Sequence, residues 1–126
     1  PSFSVQVLQV DWRSPPRLPP VDVVIGSDIV YCHDLIPPLV TLIKSLLNGD
    51  AFDEKENGDQ NPRGREAFIA CTRRSRETIE VFTLELSKQE LEYEVFHQAF
   101  LNKEEAIFET NETYHPIKIY RISLPK

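Results

Sequence analysis

Between Val21 and Leu124, short apolar runs of strand length alternate with two stretches whose apolar residues recur at helical spacing. This alternation is the strongest constraint on the fold, because strands separated by helices close into a parallel sheet with right-handed crossovers. Val23-Val24-Ile25 and Ala67-Phe68-Ile69-Ala70-Cys71 are continuous apolar runs, the pattern of parallel strands covered on both faces. Leu35, Leu39, Leu42, Ile43, Leu46 and Leu47 mark a helix over 35–47. Asp34 is placed to cap it, Pro37 and Pro38 fall in its first turn, and Asn48-Gly49 ends it. Ile79, Phe82 and Leu86 mark one face of a second helix, which Ser75 is placed to cap.

Upstream, Phe3 to Val10 alternates and is rich in valine, so it predicts a further strand, followed by a loop holding Pro15, Pro16, Pro19 and Pro20. Downstream, Leu91 to Gln98 and Ile117 to Leu124 alternate with period two. No helical spacing separates them, which predicts an antiparallel pair at the sheet edge. The polar stretch from Phe100 to Tyr114 connects them. Asp50 to Arg65 is acidic and without apolar periodicity, and reads as a long flexible loop within one domain. The fold class is therefore α/β, a mostly parallel sheet ending in an antiparallel hairpin.

Acidic residues number 20 against 14 Lys plus Arg, for a net charge of −6, which opposes a phosphate-binding surface and hence a nucleic-acid partner. No apolar stretch has the length of a membrane span. The two cysteines, Cys32 and Cys71, are too few for a disulfide scaffold and suit reduced thiols in a cytosolic or nuclear protein, the cytoplasm being expected. With His33, His97 and His115 they show no metal-ligand spacing. No glycine-rich phosphate loop is present. The chain contains no methionine and runs from Pro1 almost at once into strand-like residues. We read 1–126 as the C-terminal part of a single domain, the alternative being a processed terminus.

In open α/β sheets ligands bind beyond the carboxyl ends of the strands, which directs attention to Asp11-Trp12, to Ser27-Asp28 through Tyr31, and to Thr72-Arg73-Arg74. Asp11 can accept a hydrogen bond from an adenine amino group and Trp12 can pack on the ring, although an edge tryptophan covering the core has the same signature. Asp28 could hold a substrate ammonium and Tyr31 line its channel; equally, Asp28 could cap the next turn and Tyr31 be core. The basic cluster Arg73, Arg74 and Arg76 suits a solvated helix start or an acidic partner.

Val10-Asp11-Trp12, a proline-containing spacer, then Val21-Asp22-Val23-Val24-Ile25-Gly26-Ser27-Asp28-Ile29-Val30-Tyr31 and a leucine-rich helix resemble the lysine methyltransferases of the seven-β-strand, S-adenosylmethionine-dependent class. Ala70-Cys71-Thr72-Arg73-Arg74, with Glu77, Thr78 and Phe82, is most similar to the elongation factor 2 lysine methyltransferase branch. The resemblance implies a Rossmann-like methyltransferase fold and S-adenosylmethionine as cofactor. It implies Trp12 beside the adenine with Asp11 near, Ser27 lining the cofactor pocket, and Asp28 and Tyr31 where the target lysine arrives. It further implies a protein substrate, a translation factor being the branch's; a monomer is expected. Ser27 stands where the family has alanine and Arg13 where glycine is common. The family's first two strands, with the acidic, glycine-rich turn that grips the cofactor, find no match here. The chain alone is therefore expected to bind S-adenosylmethionine poorly and to be inactive, and a non-catalytic interaction module is the competing reading.

Overall fold

A computed structural model describes residues 3–53, 64–72, 76–99 and 117–126. Its elements are β1 (Val23–Ser27), α1 (Ile36–Asn48) after a single 3-10 turn (His33–Leu35), β2 (Glu66–Thr72), α2 (Arg76–Lys88), β3 (Glu92–Ala99) and β4 (Ile117–Ser123). The strand order is β1-β2-β4-β3, with β1 and β2 parallel and the other two pairings antiparallel. The last strand thus inserts between β2 and β3. Only one of the three pairings is parallel, so the sheet is mixed rather than mostly parallel.

Both helices pack on the same face of this sheet. Ala67, Ile69 and Cys71 of β2 and Tyr120 and Ile122 of β4 meet Ile36, Leu39, Val40, Ile43 and Leu47 of α1 and Phe82 and Leu86 of α2 in one core cluster. The three- and four-residue spacing of those helical positions places them on one stripe. Phe82 and Tyr93 each meet Tyr120 edge to face, with centroids 5.9 and 6.2 Å away. Gln89 ties the helices together: its side chain donates to the Pro37 carbonyl (3.3 Å), and its own carbonyl accepts from Lys44 Nζ (2.8 Å).

α1 starts one residue late. Asp34 lies in the 3-10 turn, the N-cap residue is Leu35, and no side chain caps the helix. Gly49 (φ 87°) closes the helix in the left-handed conformation that glycine adopts freely. Beyond it, Phe52 is buried and forms an isolated parallel bridge with Leu18. Arg65 secures this corner, its guanidinium 4.8 Å from the Phe52 ring centre and its Nε donating to the Val21 carbonyl at 3.2 Å. The start of the acidic loop is therefore anchored; residues 54–63 lie outside the described residues, as do Ser75 and the 100–116 connection.

Two further expectations fail. Phe3 to Val10 belongs to no sheet, and Phe3 is 91% exposed. Alternation suits a strand, but a strand exists only through a neighbour's backbone, and none of the described strands pairs with it. The second failure concerns β1, whose apolar run is covered on one face only. Its residues alternate between half-buried and exposed, and Ile25 is 80% exposed. All described helices lie on the other side.

Candidate functional site

The carboxyl ends of β1 and β2 lie side by side, with Ser27 opposite Ala70. The Asp28 amide extends the ladder by donating to the Ala70 carbonyl at 3.1 Å. Asp28 then turns with φ 55°, the left-handed region open to Asp and Asn but strained for most side chains. The turn leaves Ser27 and Asp28 exposed, and Tyr31 is 68% exposed. With one sheet face bare among the described residues, the Asp28 carboxylate stays in solvent and needs no buried partner. Ile29 and Val30 turn inward and pack against the core.

This turn depends on a close approach. A Cβ on Gly26 would lie 2.6 Å from Ile29 Cδ1 and 3.2 Å from Ile69 Cδ1. Gly26→Ala is expected to cost about 1 kcal/mol, read as a lower denaturant midpoint, because the Cδ1 ends of Ile29 and Ile69 must shift to make room.

Cys71 lies below the turn, buried and 3% exposed. Burial, and secondarily the Asp28 carboxylate, push its thiol up from 9.0 to about 12. The folded state keeps this proton where an unfolded chain releases it. The corresponding stability is complete below about pH 9 and is lost as pH rises towards about 12. At mildly alkaline pH, iodoacetamide is expected to alkylate the half-buried Cys32 and to reach Cys71 only on unfolding. Mass spectrometry of timed samples checks this order.

Asp11 and Trp12 precede the proline-rich loop. One Asp11 carboxylate oxygen accepts from the Arg13 amide (3.0 Å), closing a local turn, and Trp12 packs half-buried against the core. The core-covering role of the tryptophan is therefore realised. Sequence reasoning missed two features of the site. His33 Nε2 and Thr78 Oγ1 are 3.0 Å apart, joining the segment after β1 to the first turn of α2. Cys71 is brought under Asp28 by strand register, which no local pattern reveals. An open cavity of about 750 Å³ lies at the opposite end of the sheet, lined by Glu66, Glu92, Glu94 and Arg121 among others, and is separate from this site.

Comparison with known proteins gives the chain a family. The family model described as lysine methyltransferase matches residues 1–88. The chain belongs to the lysine methyltransferase family. The human Protein-lysine N-methyltransferase EEF2KMT is 33% identical over 96 residues, covering 72% of this chain and 26% of that protein. Its bovine counterpart is 30% identical over 94 residues, covering 71% and 25%. The chain thus spans about a quarter of the length of the curated lysine methyltransferases it matches.

Family membership brings S-adenosylmethionine into question, and the described residues do not enclose it. Ser27, Asp28 and Tyr31 face solvent, one Asp11 oxygen is committed to its own turn, and no described strand lies on the free edge of β1. Among the described residues no group of His, Cys, Asp and Glu could hold a metal ion, and no helix is long and apolar enough to cross a membrane.

Proposed function

We propose that this chain is the lysine-facing part of a protein-lysine N-methyltransferase that uses S-adenosylmethionine. The observation that carries the reading is the exposed Asp28 on its left-handed turn at the end of β1, in a chain of this family. A carboxylate there attracts the ammonium of an approaching lysine, and the exposed Tyr31 borders the approach. Methyl transfer from a sulfonium has a neutral leaving group and asks mainly for alignment of a neutral amine. Asp28 and Tyr31 therefore orient the lysine rather than act as strong bases. Trp12, Asp11 and Ser27 are proposed to border the cofactor, with the remainder of its site supplied by residues beyond this chain's own set. The proposed substrate is a protein, with elongation factor 2 as the first candidate, and the proposed compartment is the cytoplasm, consistent with two free cysteines.

A second reading, a non-catalytic partner-binding module, draws on the open cofactor side. A chimera separates the two. Residues 12–88 of this chain replace the corresponding segment of the human relative, and transfer of labelled methyl to elongation factor 2 is followed. Activity in a folded chimera is expected. A folded chimera that binds elongation factor 2 without methylating it supports the module instead.

A further inference from the structure

Tyr31 stands on a short bridge between two anchors. On one side Val30 packs against the core, and on the other Ile36 opens α1 with 1% exposure. Residues 31–35 belong to no strand. Locally they are ordered by the 3-10 turn His33–Leu35, in which the Leu35 amide donates to the Cys32 carbonyl at 3.0 Å. No side chain caps the start of α1. Sideways, the bridge is held by His33, whose Nε2 lies 3.0 Å from Thr78 Oγ1 in the first turn of α2. Among the described residues, this is the side-chain hydrogen bond by which 29–35 reaches another element. The two residues are 45 positions apart in sequence, so the bond forms only when α2 has docked. α2 is itself seated by the buried Phe82, one turn beyond Thr78.

We propose that His33 and Thr78 are positioning residues for methyl transfer. Their bond holds the bridge on α2 and so sets where Tyr31 borders the approach of the lysine. The inference rests on the reading of Asp28 and Tyr31 given under the proposed function. Among the described residues the Tyr31 side chain makes no hydrogen bond, and it is mostly exposed, so its place follows from the backbone that carries it. The chemistry suits a clasp. A threonine hydroxyl both donates and accepts, so it bonds either neutral tautomer of the ring. A partly exposed hydrogen bond contributes little to the whole fold, yet its loss shifts a local opening equilibrium about fivefold. A misplaced Tyr31 costs alignment in the bound complex rather than the encounter with Asp28, so the effect falls on kcat.

Two measurements test this. In the full 126-residue chain, exchange of the Leu35 amide is followed by NMR. Thr78→Val keeps the branched shape and removes the hydroxyl, and is expected to speed that exchange about fivefold. Thr78→Ser is expected to restore protection. In the chimera, which contains both residues, Thr78→Val is expected to lower kcat about fivefold with KM little changed, and Thr78→Ser to recover it. His33→Ala is expected to match Thr78→Val, and the two together to cost no more than either alone. Leu35 exchange unchanged by Thr78→Val overturns the clasp. Faster exchange with unchanged kcat in an active chimera overturns the positioning role, as does a loss carried by KM alone or additive losses in the double variant. A folded chimera that does not methylate at all is distinguishable from these, since it removes the underlying reading and the inference with it.

Discussion

Replacing Phe82 by alanine is expected to cost about 3–5 kcal/mol, and to leave much of the population unfolded. Phe82 has 0% exposure and holds α2 onto the sheet through its edge-on contact with Tyr120. Its removal opens a cavity between α2 and β4 that neighbouring side chains fill poorly. Domains commonly have a net stability of about 5–15 kcal/mol. With the described helices on one sheet face only, the described residues form a single apolar layer. Phe82→Leu, which restores most of the volume, is expected to cost less than half as much. Urea melts followed by circular dichroism distinguish the two, and equal losses would show that the ring contact contributes nothing specific.

The second large effect is on activity. In the chimera, Asp28→Asn is expected to lower kcat/KM for the lysine substrate by about 100-fold, near 2.7 kcal/mol, with little change in stability. Asn tolerates the left-handed φ of 55° almost as well as Asp, so the turn is kept and the charge alone is lost. Asp28→Val is the contrasting substitution. A β-branched residue is strained at positive φ, and about 1–2 kcal/mol of stability should be lost as well. If Asn supports full activity, the carboxylate has no part in receiving the lysine, and Asp28 acts only through its backbone.

Helices α1 and α2 and strand β2 were legible because their signals are local: apolar spacing in the helices, an apolar run in β2, and prolines and Gly49 at the ends of α1. What escaped depends on partners distant in sequence. Phe3 to Val10 carries the pattern of a strand but has no ladder to join among the described residues. Val23-Val24-Ile25 reads as doubly buried, yet its second face lacks a cover among the described residues. Phe52 is one apolar residue in an acidic stretch, and its burial follows from Leu18 and Arg65 meeting it. Phe96 reaches the bare face through a bulge, visible only against the register of β4. At the site, the strand end locates Ser27, Asp28 and Tyr31 from sequence. The buried thiol beneath them and the His33–Thr78 contact require the folded register.

The central claim is that this chain presents a lysine-facing turn without enclosing the methyl donor. Isothermal titration of S-adenosylmethionine into the purified chain, shown by circular dichroism to be folded, tests it most directly. The expected result is no saturable heat at micromolar cofactor. Micromolar binding, lost on Trp12→Ala, would contradict the account by showing that Asp11, Trp12 and Ser27 already complete a cofactor site.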